Sequence, residues 1–115
     1  MGIRRTTENA AQRAKDAVGA GSGGVYGTRV HTAFEKEIKA LGNANLSTEV
    51  SYKNGTPVSR GTNGSVRLDV VEGPIRAPTI VFDLKTGSAK LTPARMNQIQ
   101  QHVPGGTSVP IHEVR

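Results

Sequence analysis

Thr79-Ile80-Val81-Phe82-Asp83-Leu84-Lys85-Thr86-Gly87 is an apolar, β-branched run broken by a carboxylate and an ammonium two residues apart. Side chains alternate across a strand, so Asp83 and Lys85 project from one face while Ile80, Phe82 and Leu84 share the other. Acids and lysines are rarely buried without a partner, and a charge pair on such a strand demands a reason. Upstream, Ser65-Val66-Arg67-Leu68-Asp69-Val70-Val71 is a second apolar strand with its own acid, Asp69. Two acids and a lysine on neighbouring strands are the residue types of a hydrolytic metal site for phosphodiesters. A hard cation such as Mg²⁺ takes carboxylate and water oxygens, with the substrate's phosphate completing its shell. It polarises the phosphoryl oxygen and lowers the pKa of an attacking water. Asp69 and Asp83 are then metal ligands, and Lys85 meets the charge that builds in the transition state. The competing reading is an ion pair on a solvated sheet face, which contributes little.

The chain has 115 residues, room for one modest core and no second substrate domain. Its formal net charge of +6 points to a polyanionic partner: nucleic acid first, then an acidic protein, then an anionic membrane surface. With only 3% aromatic residues, base stacking cannot be the main mode of binding, which leaves the phosphate backbone. The absence of cysteine removes disulfides and thiolate zinc sites. No signal peptide or membrane-spanning run is visible.

Residues 1–24 are expected to be a linker, and the folded domain to occupy 25–115. Glu8 to Val18 is polar and alanine-rich enough for a short helix but lacks a wide apolar stripe. Gly19-Ala20-Gly21-Ser22-Gly23-Gly24 follows as a flexible joint. Because these residues differ from the rest, the chain is expected to be a fragment of something longer. From Val30 to Leu41 the pattern is helical, with Val30, Phe34, Ile38 and Leu41 on one face. His31 and Glu35 lie together beside that stripe and Glu37 lies on its opposite flank, so Glu35 is the favoured site acid. Pairing of Glu35 with Lys39 at i+4 is the ordinary alternative.

Leu46 to Tyr52 alternates as a strand, with Leu46, Thr48, Val50 and Tyr52 on one side, before a tight turn at Asn54-Gly55. Thr92-Pro93 opens a helix that runs to about His102 and buries Met96, Ile99 and Val103. Ser108 to Val114 is the last strand, at an edge because of Pro110. The order is helix, strand, strand, strand, helix, strand, an α/β architecture.

That αβββαβ order, with an acid on the first helix, one on the second strand and D-x-K on the third, resembles the PD-(D/E)xK nuclease superfamily of restriction enzymes and Holliday-junction resolvases. The resemblance spans about Tyr26 to Val114 and implies a restriction-endonuclease-like core, with a central mixed sheet flanked by helices. It implies that Glu35 is the helix acid and a third metal ligand, Asp69 the strand acid, and Asp83 with Lys85 the D-x-K pair. Leu68 stands where the proline that names the superfamily would be. Arg95 or Gln98 on the second helix would support the site, and His31, Arg67 and Thr86 are supporting candidates alongside them. Mg²⁺ is the expected cation, with Mn²⁺ or Zn²⁺ as alternatives.

A narrower resemblance is carried by Val25-Tyr26-Gly27-Thr28-Arg29-Val30-His31, the Asp69 strand from Gly64, and Asp83-Leu84-Lys85-Thr86-Gly87. These are similar to C-terminal toxin domains of bacterial polymorphic toxins, including contact-dependent growth inhibition and Rhs-type systems. The implied protein is secreted as the tip of a larger toxin and acts in the cytoplasm of a target bacterium. It would cut tRNA or DNA, tRNA being slightly favoured, and be blocked by an acidic immunity protein. Two rivals remain open: a metal-independent RNase using His31, with His102 and His112 on the surface, and a basic module that only holds nucleic acid.

Overall fold

The computed structural model describes residues 2–115 and is an α/β fold: a five-stranded mixed sheet with two helices on one face and one on the other. Helix α1 (Ile3–Val18) comes first and replaces the expected tether. Thr7, Ala10, Ala11 and Ala14 recur at helical spacing and are fully buried. Their small side chains let the helix lie close against its neighbour, a seam that carries little hydrophobic signal in sequence. Gly19, at φ 85°, ends the helix by donating its N–H to the Lys15 carbonyl at 2.8 Å. The folded unit therefore includes the residues assigned to a linker.

Helix α2 (Gly23–Ala40) starts earlier than the apolar pattern indicated, within the glycine-rich stretch. Val30, Phe34 and Ile38 are buried as expected, whereas Leu41 lies past the last turn and stays 39% exposed. Arg13 of α1 donates to Glu37 at 2.8 Å, locking the two helices together. Their shared core, with Val70, Phe82, Leu84 and Val114 of the sheet, covers the first face.

Strand β1 (Leu46–Lys53) turns through Asn54 and Gly55, both at positive φ, into β2 (Thr56–Val58), a short strand the sequence reading did not include. Strands β3 (Val66–Glu72) and β4 (Ile80–Leu84) complete an antiparallel run. Helix α3 (Pro93–His102) then crosses over to β5 (Ile111–Val114), which pairs parallel with β4. Thr92 caps α3 by accepting the Arg95 N–H at 3.1 Å. The sheet order β2-β1-β3-β4-β5 puts β5 at an edge. The second core, beneath α3, collects Val50, Tyr52, Val66, Leu68, Val71, Val81, Ile99 and Val103. Ile99 and Val103 are buried as expected, but Met96 is only half-buried.

The expected alternation of β1 fails at one residue. Leu46 packs on the α1–α2 side and Thr48 contacts Glu35 of α2, whereas Val50 and Tyr52 belong to the α3 side. Between them Glu49 adopts φ 53°, which reverses the pleat. Strand β3 changes phase opposite it: Val66 and Leu68 face α3, and Val70 faces α2.

Candidate active site

The site forms where β3 and β4 separate. Their ladder pairs Glu72 with Ile80, Val71 with Val81 and Val70 with Phe82, then stops. One step further along the same register, Asp69 stands opposite Asp83. Instead of continuing the ladder, Asp69 inserts its side chain, and Oδ2 accepts the Leu84 N–H at 2.6 Å. The gap between the strands thus opens at the two acids.

Asp83 is only 3% exposed, on a strand whose neighbours Phe82 and Leu84 are anchored in the first core. Lys85 shares its face, as strand alternation requires, and Nζ lies 3.1 Å from Asp83 Oδ2. Arg95 Nε approaches the same oxygen at 3.7 Å from α3. Neither contact has hydrogen-bond alignment, so Oδ2 is buried without a hydrogen bond among the described residues. Arg95 is itself held in place, donating to the Arg67 carbonyl and to Gln98 Oε1, each at 3.0 Å. Gln98 therefore acts on Arg95 rather than on the acids.

Burial pushes the Asp69 carboxyl up to about 6. The Leu84 N–H and the His31 ring pull it down, while the neighbouring Asp83 carboxylate raises it. Asp83 raises it because two like charges set opposite each other disfavour ionisation. His31 closes the site from α2: Nδ1 is 2.8 Å from the Gly27 carbonyl, Nε2 is 3.1 Å from the Leu84 carbonyl and 3.7 Å from Asp69 Oδ1. Both hydrogen bonds end on acceptors, so only the doubly protonated ring makes them together. Helix α2 passes tightly here, since a Cβ on Gly27 would meet Thr86 Oγ1 at 3.3 Å.

Two recesses meet at His31, Arg67 and Asp69. One, about 440 Å³, holds Asp83, Lys85, Thr86 and Arg95. The other, about 460 Å³, runs along α2 past Thr28, Thr32 and Glu35 to Glu49 and Arg60. Glu35 thus faces the cleft and Glu37 does not, but Glu35 stands apart from the aspartate pair. Its Oε2 accepts from Thr48 at 3.5 Å and lies 3.5 Å from Lys39, the i+4 pairing. Among the described residues no three His, Asp or Glu side chains are grouped to hold a cation, and the Glu35 carboxylate is engaged by Thr48 and Lys39. His102 accepts the Asn54 N–H at 3.1 Å and His112 stacks on Phe82 at 5.7 Å, so both serve the fold.

Glu49 and Arg60 line the cleft without having been singled out in the sequence. A lone acid between the β-branched residues Thr48 and Val50 was the available signal for Glu49; Arg60 lay in a turn with none.

The donor set suits a hard cation that keeps most of its shell in water and phosphate, as Mg²⁺ does with one or two protein carboxylates. Asp83 Oδ2, buried without a hydrogen bond among the described residues and faced by Lys85 and Arg95, is a carboxylate oxygen of that type. Zn²⁺ usually draws three or four protein ligands, which the two aspartates do not supply. Comparison with protein-family models, curated proteins and solved structures gave no match.

Proposed function

We propose that this chain is a metal-dependent endonuclease of PD-(D/E)xK type that hydrolyses phosphodiester bonds in nucleic acid. The observation that carries the reading is the meeting of Asp69 and Asp83 at the parting of β3 and β4, with Lys85 Nζ 3.1 Å from Asp83. A module that merely holds nucleic acid has no need of two acids set opposite each other beside Lys85 and Arg95.

Asp69 and Asp83 would hold the cation, which when bound supplies Lewis-acid polarisation of the scissile phosphate. Lys85, just past the end of β4 and tied to β5 through its N–H to the Val114 carbonyl at 2.8 Å, presents a positive charge where negative charge develops on the phosphoryl oxygens. Asp83 orients that ammonium, and Arg95 adds a second cationic group on the α3 side. Arg67, 48% exposed between the recesses, is available to a neighbouring phosphate. His31 on α2 stands 3.7 Å from Asp69 Oδ1 and, when protonated, offsets its charge. The +6 charge draws the polyanion in by counterion release.

In the toxin reading, an acidic immunity protein would cover this cleft, and tRNA is the favoured substrate over DNA. No helix among the described residues is long and apolar enough to cross a membrane. The test is to incubate the chain with total tRNA and with plasmid DNA, each with Mg²⁺, Mn²⁺, Zn²⁺ or EDTA. Cleavage of tRNA with Mg²⁺ and none in EDTA is expected. Cleavage of plasmid alone makes the chain a DNase, cleavage in EDTA favours the His31 route, and no cleavage in any condition contradicts the proposal.

A further inference from the structure

Among the described residues Glu49 is the one non-glycine residue with positive φ that no turn explains: Asn54 sits in the β1–β2 hairpin, whereas Glu49, at φ 53°, is in the middle of a strand. Such backbone is rare for a non-glycine residue and gathers at functional sites. Here it has a visible effect. The reversed pleat turns the Glu49 side chain into the α2 recess, opposite Asp69 in the β1–β3 register. Its Oε2 is buried, makes no hydrogen bond among the described residues, and lies 2.9 Å from Arg67 Nε. Arg67 lines both recesses. A guanidinium approached at Nε keeps its two terminal nitrogens free, and their fork matches phosphate oxygens.

We propose that Glu49 is a positioning residue, holding the Arg67 guanidinium at the junction of the two recesses so that Arg67 grips the phosphate flanking the one at Asp69 and Asp83. The inference rests on the nuclease reading. It assigns the strand of nucleic acid a path, from Lys85 past Arg67 toward Arg60. It also gives the distorted backbone of β1 a purpose, because an undistorted pleat would aim residue 49 elsewhere. A carboxylate facing a polyanion repels it, so Glu49 helps binding only through Arg67, and that makes the two residues interdependent.

The test uses the full chain carrying Asp83→Asn, which removes turnover, and a fluorescein-labelled single-stranded oligonucleotide read by anisotropy across a salt series. Arg67→Ala should weaken binding about tenfold and lower the salt slope by about one. Glu49→Ala should do nearly the same, Glu49→Gln should keep part of the affinity, and the double variant should be no worse than Arg67→Ala alone. Glu49→Gly should melt no earlier than its parent, because glycine adopts positive φ without strain, whereas a merely structural role would lower the melting temperature. Glu49→Ala binding as tightly as its parent, or more tightly, overturns the proposal, as does an additive double variant. If Arg67→Ala weakens binding and Glu49→Ala does not, the nuclease reading stands and this inference falls. A parent that binds no oligonucleotide overturns both.

Discussion

Asp69 pays for its position in folding stability. Its carboxyl is raised from the ordinary 3.8 to about 6, so between those values the native state holds a proton that the unfolded chain has released. Stability therefore falls as pH rises through that window and levels off above about pH 6. Asn at 69 keeps an acceptor for the Leu84 N–H but does not titrate. In EDTA, Asp69→Asn should match the parent near pH 4 and exceed it by about 1–3 kcal/mol near pH 7.5 in urea unfolding. A variant less stable than the parent at the higher pH would mean that the ionised carboxylate is itself stabilising. Asp83 and Lys85 were legible beforehand because strand alternation alone brings them together. Glu49 was not, because nothing in Thr48-Glu49-Val50 announces that the chain adopts φ 53° there. A period-two reading puts that carboxylate on the wrong side of β1.

Helix α1 is where local pattern and packing diverge. Its buried face is Thr7, Ala10, Ala11 and Ala14, so hydropathy registers almost nothing while close packing registers a great deal. Enlarging Ala14 to Leu should cost about 1–3 kcal/mol by overpacking the seam against α2, whereas Ala17→Leu on the exposed side should change stability by less than about 0.5 kcal/mol. Thermal unfolding by circular dichroism distinguishes them, and equal, negligible effects would restore the tether reading. Helix α3 was easier, because Thr92-Pro93 states its start and the capping bond forms as the chemistry demands. Strand β2 was missed for the opposite reason: three residues after a turn are too few for a pattern, and only the pairing with β1 makes them a strand.

At the scale of the molecule, the sheet acts by coming apart. β3 and β4 pair firmly at one end and diverge at the other, so that α2 supplies His31 and α3 supplies Arg95 to the same two acids. The order of elements was legible because each carries its own stop signal; the divergence was not, since it depends on Asp69 bonding the Leu84 N–H from across the gap. With a charge of +6, affinity for tRNA should drop steeply as salt rises from about 50 to 200 mM, and a flat response in filter binding would leave the charge without that role. The most direct measurement of whether the Asp69–Asp83–Lys85 group is catalytic pairs turnover with melting temperature for Lys85→Ala. The charge on Lys85 is needed mainly in the transition state, so cleavage should fall on the order of 10²-fold or more, while the melting temperature stays level or rises. A Lys85→Ala chain that melts early, yet cuts at the parent rate while folded, would make the pair a structural ion pair and contradict the account.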